Sequence, residues 1–316
     1  MKMKQFIPFV IALLIPMFSA CIDEDLSDCP PSEKTFVVDY QIDLTSEVDP
    51  QYNVRLQNLH LGFWNTPTNL FDTSYFDESN MPEKLIFTID LPVQDYEHIA
   101  VGNRFTSENP FVQFPQDINQ FFIKGEYIEP NTIKAFQNAL LVGSKRIALA
   151  SQSDIMHYRV LLRPVASRVL IKVNKPASMT RLRCKVSGTM EGYKCWQDAY
   201  LVNDKLMTDA SAYVKEGSAG QADEIDFYCF PTINESLRSH SKLYSTADGT
   251  WKVYFYTDCK GKVLQHVFTI EPPLKAGMFF QGEFNLTEQG GNMVNADASV
   301  EVDTDWHPGD EFDQDV

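Results

Sequence analysis

The side chains that could do chemistry are few, and the densest group of them lies near the C-terminus. The segment DTDWHPGDEFDQD (residues 303–315) carries six carboxylates, the ligand type that calcium prefers. Compared with an EF-hand loop, however, its glycine falls one place late, His307 occupies a ligand position, and Gln314 replaces the final glutamate. We therefore interpret the segment as a solvated acidic tail and predict no metal site there.

The rest of the chain shows no catalytic motif. It contains no G-x-S-x-G, H-E-x-x-H or G-x-G-x-x-G pattern and no P-loop. The six histidines are scattered, and His157 and His266 lie inside strand-like patterns, where a structural histidine is the usual interpretation. The sequence thus predicts a protein that is not an enzyme and that needs no cofactor.

The cysteines give a weaker signal. Cys184 and Cys195 lie symmetrically about the segment SGTMEG (187–192), so a hairpin there would place them opposite each other. A disulfide and a pair of small buried strand residues both fit this arrangement. Since no C-x-x-C pair is present, zinc is not expected.

The N-terminus reads as a cleaved leader. Two lysines precede the apolar stretch FIPFVIALLIPMF (6–18), which is too short for a permanent membrane span, and residues 1–20 are therefore predicted to be a signal peptide. The following FSAC resembles the lipobox of bacterial lipoproteins, a resemblance that implies acylation of Cys21. The acidic residues after it cannot enter a bilayer, so we interpret 21–34 as a lipidated, solvated linker.

The overall charge excludes one class of partner. The formal net charge is -16, and no basic face is assembled that could bind phosphates. Nucleic acid is therefore not an expected partner. No second apolar run approaches the length of a spanning helix, so the lipid alone would provide the anchor.

Period-two alternation dominates the rest of the chain and predicts an all-β fold. In TFVVDYQIDL (35–44), Phe36, Val38, Tyr40 and Ile42 would share one face of a half-buried strand. Many similar short segments, separated by turn signals, favour β-sandwiches. One stretch, PNTIKAFQNALLVG (130–143), has helical spacing, an initial proline and a final glycine, and predicts a short helical decoration.

The chain is long enough for two domains. Turn-rich segments end one set of strands before HYRVLLRPVASRVLIKV opens a second set at residue 157. We therefore expect an N-terminal β-sandwich over 35–157 and a C-terminal β-sandwich over 158–316.

Taken together, the chain resembles the FimB and Mfa2 type of fimbrial anchor lipoprotein, within the fimbrillin superfamily of Bacteroidales. The segments that carry the resemblance are the lipobox with CIDEDLSDCP (21–30), RPVASRVLIKV (163–173), FYCFPT (227–232) and VEVDTDWHPGDEF (300–312). The resemblance implies two tandem transthyretin-like Greek-key β-sandwich domains and a lipid anchor in the outer membrane, with the protein at the cell surface. It also implies that the chain fixes a fimbria at its base, limits fibre length, and has a fimbrillin-type pilin subunit as its partner.

Such fibres assemble by strand addition, in which an extended segment of one subunit completes a sheet edge of another. The resemblance also implies that an arginine-directed protease removes the first strand of the stalk subunits in such fibres. Here no arginine occurs between Cys21 and Val54, and Arg55 stands within the apparent strand NVRLQNLHLGF. We therefore predict that TFVVDYQIDL stays in place and that the chain is a tethered base.

The candidate strand-exchange segments are the first strand and the stretch 298–306. Their marker residues are Phe36, Val38, Tyr40 and Ile42 in the first, and Val300, Val302 and Trp306 in the second. The segment 298–306 is interpreted equally well as an ordinary edge strand of the C-terminal sandwich.

The alternative function is a surface glycan-binding lipoprotein, in which Tyr75 or Trp196 would stack on sugar rings.

Overall fold

The computed structural model describes residues 33–43, 52, 54–104, 113–148, 155–218, 220–237, 242–245, 249–294 and 299–303 of the chain. The predictions for the leader, for Cys21 and its linker, and for Trp306 and the acidic tail lie outside these residues. Within the described ranges, no helix is long and apolar enough to cross a membrane.

The described elements are almost entirely strands. In the first half they are β1 (Glu33–Ile42), β2 (Asn58–Thr66), β3 (Asn69–Asp77), β4 (Ile86–Pro92), β5 (Tyr96–Gly102), β6 (Phe122–Lys124), β7 (Tyr127–Glu129), β8 (Thr132–Lys134), β9 (Leu141–Ile147) and β10 (Ile155–Pro164). In the second half they are β11 (Ser167–Asn174), β12 (Met179–Ser187), β13 (Gly192–Lys194), β14 (Ala199–Leu201), β15 (Met207–Asp209), β16 (Val214–Lys215), β17 (Asp223–Cys229), β18 (Ile233–Glu235), β19 (Lys242–Ser245), β20 (Trp251–Cys259), β21 (Lys262–Ile270), β22 (Phe279–Thr287), β23 (Gly290–Val294) and β24 (Ser299–Asp303). The predicted all-β class is confirmed.

The first sandwich is one seven-stranded sheet, in the order β3-β2-β5-β9-β10-β1-β4, that folds into two layers. Only the ends of β9 and β10 pair with each other, so the sheet bends there. Side chains of both layers fill one core, which includes Phe36 and Val38 from β1 and Leu61 and Phe63 from β2. The alternation of buried and exposed side chains predicted for residues 35–44 is confirmed in β1. Phe36, Val38 and Tyr40 are buried, while the residues between them are partly exposed.

The second sandwich consists of two sheets. A five-stranded sheet, β16-β17-β11-β22-β23, packs on a seven-stranded sheet, β24-β21-β20-β12-β15-β8-β7. Val169 and Ile171 of the first sheet and Val253, Phe255 and Phe268 of the second belong to one buried cluster. This face-to-face packing of alternating strands is the arrangement expected of a β-sandwich.

Strand pairing crosses the domain boundary that is predicted at residue 157. Strand β10 contains residue 157 and pairs in parallel with β1 over eight residue couples, so it belongs to the first sandwich. Strands β7 and β8 precede that residue in the chain, yet they extend the seven-stranded sheet of the second sandwich through the pairing of β8 with β15. Similarly, β6 pairs with β13.

The predicted helix over 130–143 is wrong. The segment forms β8, a bridge between Phe136 and Tyr228, and the start of β9. Ile133 pairs with Thr208 and is fully buried, and Leu140 is buried as well. Tertiary pairing with β15 and burial of these apolar residues outweigh the local helical spacing, since helix propensity amounts to less than about 1 kcal/mol for each ordinary residue.

A third buried cluster, which we call the shared core, draws side chains from both halves of the chain. It includes Trp64 and Ile99 from the first sandwich and Tyr193, Tyr200 and Phe230 from the second half. Strand β5 therefore has two buried faces, because its other alternate residues belong to the core of the first sandwich. This explains why β2 and β5 are buried almost throughout rather than on one face.

The connection between the two sandwiches runs through this shared core. Strand β10 ends at Pro164 and β11 begins at Ser167, so the linker consists of Val165 and Ala166. Both residues are completely buried. Buried backbone groups need hydrogen-bond partners, and here they come from several distant segments.

Each half of the chain supplies partners to the linker. The N–H of Val165 donates to the carbonyl of Leu140 at 2.9 Å, and its carbonyl accepts from the hydroxyl of Tyr200 at 3.0 Å. The carbonyl of Ala166 accepts from the hydroxyl of Tyr52 at 2.7 Å and from the N–H of Gly277 at 2.9 Å. The passage is thus fixed by hydrogen bonds as well as by packing.

Removing one of these hydroxyls should destabilise the whole fold. We expect Tyr200→Phe to lower the free energy of unfolding by about 1–3 kcal/mol, because it leaves the buried carbonyl of Val165 without its side-chain donor. The matched control is Tyr158→Phe, which removes a hydroxyl bonded to the carbonyl of Ala148 at the protein surface and should cost less than about 0.5 kcal/mol. Urea unfolding followed by tryptophan fluorescence would measure both, and equal losses would contradict the role assigned to the linker.

Candidate functional site

The first strand is an internal strand of its sheet. β1 pairs in parallel with β10 over eight residue couples and antiparallel with β4 over seven. Backbone groups on both of its sides therefore lie in hydrogen-bonded ladders. Its removal would expose two strand edges and an apolar slot between them, which is the kind of groove that strand addition fills.

Side-chain packing holds the same strand from the core side. Phe36 meets the ring of Tyr96 edge-on at 6.3 Å, and Val38 is fully buried. Burial of each of these two apolar side chains contributes roughly 1.5–3 kcal/mol. Ile42 is only partly buried but packs against the same cluster. Of the residues predicted to mark this segment, all four therefore contact the core of the first sandwich.

Tyr40 adds a buried polar contact. Its hydroxyl lies 2.7 Å from Nε2 of His98, whose Nδ1 lies 2.9 Å from the carbonyl of Gly62. Since a carbonyl can only accept, Nδ1 carries the proton and Nε2 accepts from the hydroxyl. The imidazole also stacks on Phe63, with ring centroids 4.4 Å apart. These contacts join β1 to β2 and β5 across the core.

The environment of His98 keeps it neutral. Complete burial lowers its pKa to about 4, although the hydrogen bond to Gly62 acts in the opposite direction. Burial also raises the pKa of Tyr40 well above its ordinary value. Sequence analysis missed His98; the available signal was its position two residues after Tyr96, on the same face of an alternating strand.

The second candidate segment lies at a sheet edge. Among the residues that the structure describes, β24 is the last strand of its seven-stranded sheet, where it pairs with β21. Val300 is opposite Phe268, and Val302 is opposite His266. An edge strand leaves one row of backbone N–H and C=O groups available for another chain.

Arg55 does not stand within a strand, so that part of the sequence interpretation is wrong. It lies in the segment that leads to β2, with a side chain that is 76% exposed and 3.1 Å from Glu78. The backbone around it is nevertheless held, because Asn103 donates to the carbonyl of Arg55 at 2.8 Å and accepts from the N–H of Gln57 at 2.7 Å. Two of the backbone groups of this segment are therefore bonded to a side chain rather than to a neighbouring strand.

The two aromatic residues considered for sugar stacking are both engaged in packing. Tyr75 lies in β3, where its ring is 4.5 Å from that of the buried His60. Trp196 lies between β13 and β14 and packs against the shared core. Contribution to packing is the usual role of a half-buried aromatic side chain, and the two residues lie on separate elements.

The hypothesis of a disulfide between Cys184 and Cys195 is wrong. Both residues are buried thiols that form no disulfide, as are Cys229 and Cys259. Cys184 belongs to the core of the second sandwich and Cys195 to the shared core, because β13 turns away from β12 to pair with β14 and β6. Among the residues that the structure describes, no three His, Cys, Asp or Glu side chains come together as a metal site.

The two histidines singled out in the sequence differ. His266 is buried, and its Nε2 lies 2.9 Å from the carbonyl of Thr287, which confirms the structural interpretation. His157 is exposed on β10, so for this residue the same interpretation is wrong. The alternation of β10 puts its side chain on the solvent face, opposite the face that carries Met156 and Val160.

Comparison with known proteins identifies the fold. No protein-family model matches the chain, and no curated protein sequence matches it. Among solved structures, the fimbrial anchor protein Mfa2 from Porphyromonas gingivalis is similar, with a TM-score of 0.51 and 14% identity over 81% of this chain and 90% of that one. A protein from Bacteroides thetaiotaomicron, described provisionally as polysaccharide-binding, gives a TM-score of 0.52 and 11% identity over 84% of this chain and 97% of that one. A protein from Bacteroides ovatus, described provisionally as an adhesin, gives a TM-score of 0.52 and 12% identity over 92% of this chain and 98% of that one.

These similarities span most of every chain compared, although the sequences have diverged far. The chain has the fold shared by the fimbrial anchor Mfa2 and these two Bacteroides proteins. The resemblance to Mfa-type fimbrial anchors that the sequence indicated is therefore confirmed at the level of the fold.

The buried histidine should make stability depend on pH. The folded pKa of His98, about 4, lies below the ordinary value of 6.5, so between these values the unfolded chain binds a proton that the folded chain does not. Stability is therefore complete above about pH 6.5 and falls as the pH drops towards 4. At pH 5 the loss relative to pH 7 from this residue should be about 2 kcal/mol.

Two variants separate this effect from other titrations. His98→Gln keeps a donor and an acceptor without a titrating ring and should reduce the loss between pH 7 and pH 5, whereas His157→Gln, at an exposed position, should leave it unchanged. Urea unfolding at the two pH values measures the difference. An unchanged pH dependence in the His98 variant would show that the group does not control it.

Proposed function

We propose that the chain is a non-catalytic outer-membrane lipoprotein that anchors a fimbria at its base. In this proposal Cys21 carries the lipid, the acidic linker spans the distance to the folded part, and two tandem transthyretin-like sandwiches face the cell exterior. The observation that carries the proposal is the fold shared over most of the chain with a protein described as a fimbrial anchor. The two Bacteroides proteins of this fold are described provisionally as a polysaccharide-binding protein and an adhesin, not as enzymes.

The position of β1 supports the role of a base subunit. A strand that is paired on both sides and packed through Phe36, Val38 and Tyr40 leaves no open groove for an incoming strand. If the strand also connects the folded part to the lipid, cutting the chain before it would release the subunit from the membrane. Such a subunit terminates the fibre at one end, which is how it would limit fibre length.

The contact with the first pilin would be made by strand addition through the region 298–306. The edge position of β24, with Val300 and Val302 in its register, supports this choice. Backbone hydrogen bonds along the edge would give affinity, and alternate side chains would give specificity. Trp306 is the third side chain of this proposed contact.

The lipid anchor can be tested by one substitution. Cys21→Ser removes the thiol that would be acylated, so we expect the protein to move from the membrane fraction to the soluble fraction. Cys29→Ser is the matched control, since it changes a second cysteine of the same linker and should leave membrane association intact. Fractionation followed by immunoblotting gives the result, and full membrane association of the Cys21 variant would rule out this anchor.

The partner can be identified by affinity capture of the intact lipoprotein from outer membranes. We expect mass spectrometry to recover a fimbrillin-type pilin, at a stoichiometric ratio and resistant to detergent and mild heating. Deletion of residues 298–316 should reduce its recovery at least tenfold, because the proposed edge contact is lost. Deletion of 309–316 alone removes only the acidic end of the tail and should preserve recovery. Failure to recover a pilin with the intact chain would contradict anchoring, and undiminished recovery after the longer deletion would contradict the edge contact.

A further inference from the structure

A cleft of about 420 Å³ lies where residues of the first sandwich, the shared core and the second sandwich come together. Its walls are supplied by segments that are distant in the sequence. They include Gln57 before β2, Arg104 after β5, the end of β6, the stretch that follows β8, and Tyr213. Sites for small ligands commonly have volumes of about 300–1,000 Å³ and often lie at such junctions.

The cleft concentrates positive charge in an acidic protein. Arg104, Lys124 and Lys134 line it, together with a single carboxylate, that of Glu126, whereas the whole chain carries a net charge of -16. Lys124 is paired with Glu191 at 2.9 Å. The walls therefore differ in sign from the average surface, which favours an anionic group over a neutral one.

Arg104 is the cation best placed to receive that anion. Its Nη1 donates to the carbonyl of Lys124 at 2.7 Å, and it forms no ion pair with any described carboxylate. Burial lowers the pKa of Arg104, while the nearby Glu126 opposes this shift. A partly desolvated guanidinium with unused donors gains more from a bidentate carboxylate than an exposed lysine does.

Amide side chains supply neutral hydrogen-bonding groups beside it. Asn138 donates to Oε1 of Gln57 at 2.7 Å, which leaves the Gln57 amino group and the Asn138 carbonyl oxygen with no partner among the described residues. The exposed side chain of Gln137 lies next to them. Behind these side chains, the amide of Asn103 donates to the carbonyls of Arg55 and Ala139 and accepts from the N–H of Gln57.

Two aromatic side chains complete the walls. The hydroxyl of Tyr213 donates to the carbonyl of Ala135 at 2.9 Å, and the ring of Phe136 meets that of Phe230 edge-on at 5.0 Å. Both rings are therefore fixed in orientation, and both remain partly exposed to the cleft. Fixed aromatic faces beside amides and a cation form a combination suited to a sugar ring with hydroxyl groups.

We propose that this cleft binds a carboxylated saccharide, with the acid group on Arg104, the hydroxyl groups on Gln57, Gln137 and Asn138, and a ring face against Tyr213. The carboxylate of Glu126 favours this class over an acidic peptide, because it can accept hydrogen bonds from sugar hydroxyl groups, which a peptide of aspartate and glutamate residues lacks. The site is separate from the β24 edge, so failure of either proposal leaves the other standing.

Calorimetric titration of the full chain in detergent micelles tests the proposal, with trigalacturonate as the probe and its fully methyl-esterified form as the neutral counterpart. We expect the acid to bind at least tenfold more tightly than the ester. Arg104→Gln should weaken binding of the acid at least tenfold and leave binding of the ester nearly unchanged. Arg146→Gln is the matched control, because it makes the same charge change at an exposed position on β9 and should alter neither affinity by more than twofold.

A second variant keeps the test decisive if the arginine variant does not fold. Gln137→Ala alters an exposed side chain and should weaken acid and ester by the same factor of several fold, with an unchanged melting temperature. Equal affinity for acid and ester, no binding of the acid at millimolar concentration, or equal loss in the Arg146 control would overturn the proposal. Triglutamate binding as tightly as trigalacturonate would assign the cleft to acidic peptides instead.

Discussion

The buried passage of the chain through Val165 and Ala166 is the constraint on which the rest of the structure depends. An exposed two-residue linker would allow the sandwiches to move as separate bodies, which is the usual behaviour of domains with small contacts. Here the linker lies inside the shared core, and its polar groups bond to Leu140, Tyr200, Tyr52 and Gly277. Tension applied to one sandwich would therefore reach the other through packed side chains and hydrogen bonds.

The shared core also explains the unusual burial of the first sandwich. Its layer of β2, β5 and β9 has apolar side chains on both faces, because one face covers the core that contains Phe36 and Tyr40 and the other covers the linker. The strand β1 lies on the far layer and is locked by pairing on both sides. A buried polar contact between the layers, from Tyr40 to His98, fixes register where apolar packing alone would permit small slips.

The chemistry of the interior is consistent with a structural protein. Burial raises the pKa of the Cys229 thiol to about 12 and also raises that of Cys184, so neither is a reactive thiolate at neutral pH. Polar side chains of the proposed ligand site lie instead in the cleft near Arg104 and Gln57. If the cleft binds a ligand as proposed, stability and recognition belong to different parts of the molecule.

Alternation of apolar residues determined which segments become strands, because a strand's two faces are a local property of the chain. It predicted β1 and the all-β class correctly, and the segments FSAC and 21–34, on which the predicted lipid anchor rests, are likewise local features. Tertiary structure decided everything that depends on distant partners. It turned residues 130–143 into strands by pairing β8 with β15, placed β1 between β4 and β10, and put Cys184 and Cys195 in different cores. The cleft could not be predicted either, since Gln57, Arg104 and Tyr213 meet only because long-range pairing brings their segments together.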